Sequence, residues 1–181
     1  ASAVAAIEDE LGAQFPDVFV SENCLAVPDW IAGLSSALGE GVALLFDYGV
    51  SRREYYADER SDGWLRCHFR HHAHNNPLIL PGIQDLTTWV DFTAIAEAAV
   101  ATGFEIGGYS TQAQFLMAGG LEAEMQGFAE LALKEQFELS RQVKTLTLPG
   151  EMGEHFKCMA LQKGAIATPS GFSLADRTHV L

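Results

Sequence analysis

The residues able to do chemistry gather in three stretches. The first is "LLFDYGVSRREYY", residues 44–56, where an apolar run ends in Asp47, Tyr48 and Gly49 and gives way to charges and paired tyrosines. Ligands of open α/β sheets sit beyond the carboxyl ends of strands. An acid at such an end can accept hydrogen bonds from a ligand, and Gly49 lets the backbone turn sharply beside it. An acidic turn residue followed by a turn glycine is the alternative, and spacing alone does not separate the two. The second stretch is "PGIQDLTTWVDF", residues 81–92. Asp85 and Thr87 are placed to face the same space, Gln84 offers both donor and acceptor, and Asp91 is placed to cap the next helix.

The third, "CHFRHHAHNN", residues 67–76, is rich in ligand types: Cys67, His68, His71, His72 and His74. Their spacing matches no zinc finger or ribbon, and Arg70 among them raises the electrostatic cost of a cation. They read as solvated or hydrogen-bonded histidines, and no metal is expected. The glycine pairs Gly39/Gly41, Gly107/Gly108 and Gly119/Gly120 make no dinucleotide fingerprint, and no nucleophile elbow is visible.

Those stretches need elements to hold them. The spacing of Val4, Ile7 and Leu11 predicts a first helix. Ile31, Leu34 and Leu38 predict a second, opened by Pro28. "VALLFD" is a continuous apolar run, as expected of a strand covered on both faces. "DFTAIAEAAVATG" predicts a helix capped by Asp91 and ended by Gly103, and "FEIGGY" a strand. "STQAQFLMAGG" predicts a short capped helix, and Leu121, Met125, Phe128 and Ala132 a longer amphipathic one. "KTLTL" and "FKCMAL" suggest two antiparallel closing strands. Between Val50 and Val90 the regular pattern fails for some forty residues. Structureless connections of that length are uncommon in compact domains, and Tyr55, Tyr56, Trp64, Phe69 and Trp89 argue against disorder. Residues 50–90 are therefore expected as an ordered loop layer over the strand ends, and residues 162–181 as an irregular tail.

The 181 residues suffice for one domain with a sizeable core, and 48% are hydrophobic. A net charge of −13 opposes nucleic acid and anionic membranes as partners. No apolar run approaches the ~20 residues of a membrane span. Three separated cysteines suggest a reducing compartment. Helices alternate with only two or three strands before an antiparallel end, which is half of a doubly wound sheet. An isolated half leaves an unpaired apolar edge, which natural proteins avoid. The chain, which opens at Ala1, is thus expected to be one portion of a single larger domain.

Taken in order from about Ser21 to Leu161, "LLFDYG", "EYY", "RCHFRHH", "PGIQDLTTWVDFTAIAEAA", "GFEIGGYSTQAQFL" and "MGEHFKCMAL" resemble the C-terminal half of the MidA-like family. These are S-adenosylmethionine-dependent methyltransferases that include a mitochondrial complex I assembly factor. The resemblance implies an α/β, Rossmann-like methyltransferase fold: the C-terminal half of a seven-stranded, mostly parallel sheet with helices on both faces. "VALLFD", "FEIGGY" and "FKCMAL" would be its fifth, sixth and antiparallel seventh strands. It implies methyl transfer to a protein side chain, an arginine guanidinium, with a respiratory complex subunit as the expected partner, in a bacterial cytoplasm or a mitochondrial matrix. Holding a guanidinium calls for carboxylates and planar aromatics. Asp47 and Asp85 are the catalytic candidates, with Glu22 and Glu54 behind them. Tyr48, Gly49, Tyr55, Gln84, Thr87 and Trp89 are the substrate-binding candidates. The cofactor-binding residues are expected in an N-terminal half. Trp89 stands where many relatives carry a histidine, so that histidine's role does not transfer. The rival expectation is a non-catalytic assembly module that docks a partner through its acidic loop layer.

Overall fold

The computed structural model describes residues 2–181. Along the chain run α1 (Ser2–Leu11), α2 (Val27–Ala37), β1 (Gly41–Val50), α3 (Arg52–Tyr55), β2 (Arg66–Phe69), β3 (His72–His74), β4 (Asp85–Thr87) and β5 (Val90–Asp91). Then follow α4 (Phe92–Ala101), β6 (Glu105–Thr111), α5 (Gln112–Ala118), α6 (Leu121–Glu124), α7 (Leu133–Thr147), α8 (Met152–His155) and β7 (Phe156–Lys163). The architecture is mixed α/β. Its main sheet has the order β5-β1-β7-β6, and a smaller sheet has the order β3-β2-β4.

Strand β7 is antiparallel to both neighbours, pairing with β1 from Gly41↔Lys163 to Tyr48↔Phe156 and with β6 from Glu105↔Gln162 to Thr111↔Lys157. β1 and β6 therefore point the same way with a reversed strand between them. One face of this sheet is covered by α2 and α4, where Ile31, Phe92, Ile95 and Ala99 close over Leu45, Tyr109, Met159 and Leu161. Burying one such large side chain contributes about 1.5–3 kcal/mol, so this layer dominates the core. On the other face Phe115 and Phe172 cover Val42, Cys158 and Ala160. Thr111 and Gln114 form a reciprocal capping box at the start of α5.

Four expectations need correcting. "KTLTL" is not a strand: Lys144–Thr147 is the last turn of α7. Its alternation mimics period two, but the helix beginning at Leu133 carries through it. The longer helix expected from Leu121 is interrupted at Gly127, whose φ of 81° is open to glycine and leaves a helix. Strand β1 runs on to Val50, so Asp47 lies inside the strand rather than at its end. And "VALLFD" is not covered on both faces: Leu44 and Phe46 are 42% and 44% exposed.

That exposure has a structural source. On the side of β1 away from β7, β5 pairs only at Gly49↔Val90 and Val50↔Asp91. Among the described residues no strand pairs with the rest of that edge, Gly41–Tyr48. A long apolar edge with free backbone groups is a template for another strand.

The segment between Val50 and Val90 holds α3, a 3-10 turn and the small sheet. Arg70 and His71, with φ of 48° and 68°, form the two-residue connection from β2 to β3. Positive φ at both central positions is what a type I′ hairpin requires.

Candidate functional site

The site begins with an ion cluster that fixes α3. Arg52 Nε donates to Asp91 at 3.2 Å, and its terminal nitrogens reach Glu97 and Glu10. Burial by itself would depress the guanidinium, but Glu97, Asp91 and Glu10 outweigh it and hold its pKa above the ordinary arginine range. Asp91 serves a second purpose: its Oδ1 accepts from the amides of Thr93 and Ala94, capping α4. Burial raises the Asp91 carboxyl, against the pull of the Ala94 and Thr93 amides and of Arg52. α1, α3, β5 and α4 are thereby tied together.

Around this anchor the aromatic residues stack. Trp64 lies on Trp89 with ring centroids 4.4 Å apart and planes at 22°. The Arg60 guanidinium caps Trp64 at 4.4 Å, and His155 meets Trp89 edge-on at 5.5 Å. Trp64 Nε1 donates to the carbonyl oxygen of Tyr55 at 2.8 Å. Glu22 reaches across and accepts from the amides of Trp64 and Leu65 at 2.8 and 3.1 Å. Its carboxylate is thus committed to loop closure rather than free for a ligand.

A cleft of about 340 Å³ opens beside this stack, on the β5 side of β1; Asn23, Cys24, Tyr55, Thr88, Trp89 and Ala94 line it. Its walls are mainly aromatic and apolar. Burial pushes the phenols of Tyr55 and Tyr56 up to about 12, so both are protonated at neutral pH.

The residues singled out from sequence are placed unevenly. Tyr55 and Trp89 line the cleft. Tyr48 lies behind Trp89, 6.3 Å centroid to centroid, and its hydroxyl hydrogen-bonds Thr87. Asp47 is exposed and accepts from the Tyr48 amide at 2.8 Å; partial burial holds its carboxyl above the usual range, against that hydrogen bond. Asp85 is exposed on β4, opposite His68. Gln84 Nε2 donates to the carbonyl of Pro77 at 2.6 Å. Asp47, Gln84 and Asp85 line neither this cleft nor the second one described below.

Gly49 is not a turn glycine. A Cβ there would meet the Val90 carbonyl oxygen at 2.4 Å, so its role is to let β5 approach β1. Only long-range packing brings Trp64, His155, Lys157 and Arg177 to Trp89, and no short-range pattern marks the last three as site residues. No group of three or more His, Cys, Asp or Glu among the described residues is arranged to hold a metal ion.

Residues 2–110 match the model of a family described as "Putative S-adenosyl-L-methionine-dependent methyltransferase". Over 129 residues the chain is 33% identical to the mitochondrial protein arginine methyltransferase NDUFAF7 homolog of Drosophila melanogaster, covering 70% of this chain and 28% of that protein. A crystal structure of a COG1565 superfamily member from Burkholderia thailandensis, bound to S-adenosyl-homocysteine, superposes with a TM-score of 0.87 at 34% identity. That match covers 100% of this chain and 45% of the other. A native crystal structure of a COG1565 superfamily protein from the same organism gives a TM-score of 0.82 at 36% identity, over 90% of this chain and 44% of that one. The chain thus spans less than half the length of these relatives. With the family model matched over more than half its length, the chain belongs to the MidA-like family of S-adenosylmethionine-dependent methyltransferases.

Proposed function

We propose that this chain is the acceptor-side portion of an S-adenosylmethionine-dependent methyltransferase whose donor pocket is completed by further polypeptide along the free edge of β1. The observation that carries this is the free edge itself, beside a sheet in which antiparallel β7 separates β1 from β6. In this reading β1, β6 and β7 are the fifth, sixth and seventh strands of a seven-stranded sheet. The S-adenosyl-homocysteine in the B. thailandensis relative, of which this chain matches 45%, supports the choice of cofactor.

The described residues fit one wall of a donor site and not the whole. The aromatic cleft lies on the β5 side of β1, next to the free edge. A glycine-rich strand-turn-helix is missing from the sequence. When bound, the cofactor supplies a methyl group already activated on a sulfonium. The chain's own part is alignment and exclusion of water, which together are worth up to about 7–11 kcal/mol in favourable cases.

In this proposal Tyr55 and Trp89 dry the cleft, and Tyr48 with Thr87 supports Trp89 from behind. Asp47, whose carboxylate is open to solvent, holds a cationic acceptor. Asp85, Gln84 and the small sheet make outer contacts with the acceptor protein, and Gly49 keeps β5 in place. An arginine guanidinium is the acceptor we favour, on the strength of what the Drosophila relative is called. A respiratory complex subunit as its carrier, and a bacterial cytoplasm or mitochondrial matrix as the compartment, belong to the same proposal.

The test is calorimetric titration of S-adenosylmethionine into the full-length protein and into residues 1–181. Binding by the full-length protein alone is expected; tight binding by residues 1–181 would overturn the two-part pocket. In a labelled methyl-transfer assay with full-length protein, Asp47→Asn should lower turnover at least about tenfold, the scale of one lost charge-assisted contact.

A further inference from the structure

A second cleft, of about 430 Å³, lies on the other side of Trp89, between α3 and α8 at the carboxyl end of β1. Trp64 and Trp89 form one wall, and Lys157 and Arg177 line its interior. Lys157 is only 6% exposed. Its ammonium donates to the carbonyl oxygen of Glu154 and forms no ion pair among the described residues. An ammonium has three donors to satisfy, and a buried charge without a counter-charge is among the most costly groups a fold can retain.

Arg177, half-buried, likewise has no ion pair among the described residues. Its charge bears on Lys157: burial is the main cause that lowers the ammonium's pKa and Arg177 adds to it, while Glu54 and Glu154 oppose without pairing with it. Acids are not in short supply, since the chain has 24 against 11 basic residues, and Arg52 engages three of them. Yet Glu54, Glu59 and Glu154 stand exposed around this cleft and pair with neither cation. Arg60 is exposed at the same rim with its guanidinium on Trp64, so three acids face one cation there: the rim is net acidic, and Lys157 and Arg177 are the cations without an acidic or aromatic partner among the described residues.

We propose that Lys157 and Arg177 form a binding site for a single small oxyanion group, a carboxylate or a phosphate. Such a group supplies the missing counter-charge through charge-assisted hydrogen bonds. The acidic rim repels polyanions, so the ligand carries one anionic group and not a chain of them. The site stands independently of the methyl-transfer proposal, because neither cation lines the cleft beside β5.

The experiment is a nuclear magnetic resonance titration of the ¹⁵N-labelled full-length protein at constant ionic strength, sodium acetate in one arm and inorganic phosphate in the other. The signals followed are the Arg177 Nε–H and the Lys157 backbone amide. Saturable shifts are expected, and the arm that saturates at lower concentration identifies the group. Arg177→Gln should weaken that binding at least fivefold and Lys157→Met should abolish it. Arg177→Gln, at a half-buried position, tests the site independently of Lys157→Met. Linear shifts no larger than those from added chloride, or a titration unchanged by Arg177→Gln, would overturn the site.

Discussion

Adding one methyl group at Gly49 and at Gly33 should have opposite consequences. At Gly49 a Cβ would lie 2.4 Å from the carbonyl oxygen of Val90 and 2.7 Å from Cε2 of Phe92. The first obstacle is backbone and the second is a ring only 1% exposed, so neither yields easily. Overpacking of this kind costs about 1–3 kcal/mol, partly offset by the ~0.4–1 kcal/mol that alanine removes from unfolded-state entropy. A net loss of about 1.3 kcal/mol, with an m-value of about 1–3 kcal/mol/M in urea, lowers the unfolding midpoint by roughly 0.4–1.3 M. Gly33 lies inside α2 with nothing within 4 Å of its virtual Cβ. There alanine should add about 0.8–1.0 kcal/mol. Urea titrations of the full-length protein followed by far-ultraviolet circular dichroism and tryptophan fluorescence measure both. Because Trp89 directly precedes β5, Gly49→Ala should also alter native fluorescence. A Gly49→Ala protein within about 0.5 kcal/mol of wild type, the scatter of an ordinary surface change, would refute the close β1–β5 approach.

Further expectations follow from the same geometry. Arg52→Met removes a guanidinium shared by Glu10, Asp91 and Glu97 and should cost about 2–3 kcal/mol, the scale of charge-assisted bonds to a partly buried partner; denaturant melts check it. Lys157→Met should stabilise the protein at neutral pH in oxyanion-free buffer by about 1–2 kcal/mol. Burial depresses the Lys157 ammonium, so the folded state holds that proton less tightly than the unfolded chain. The penalty is therefore full at neutral pH and lifts as pH rises through the folded pKa toward the ordinary value of about 10.4, and the variant's advantage should shrink over that window. Thiol labelling should modify exposed Cys24 within minutes. Cys158 is buried and its thiol is pushed up to about 12, so it should react only on unfolding; rapid labelling of native Cys158 would contradict its place under Phe172.

Local pattern by itself determined much of this protein. The apolar stripe of α2, the Asp91 cap of α4, the capped α5 and the strands β1, β6 and β7 all follow from short-range spacing and capping chemistry. The small number of strands likewise anticipated an edge of β1 left largely unpaired among the described residues. What spacing misjudged was local ambiguity: Lys144–Thr147 alternates like a strand yet ends a helix, since the helix propagates from a first turn that begins at Leu133. Only tertiary structure decided that Asp47 lies within its strand, that Gly49 serves strand approach, and that Glu22 is spent on the amides of Trp64 and Leu65. It alone brought Lys157 and Arg177 together across twenty residues of sequence. Pairings of that kind depend on which faces pack over which edges, a property of the assembled sheet that no window of neighbouring residues contains.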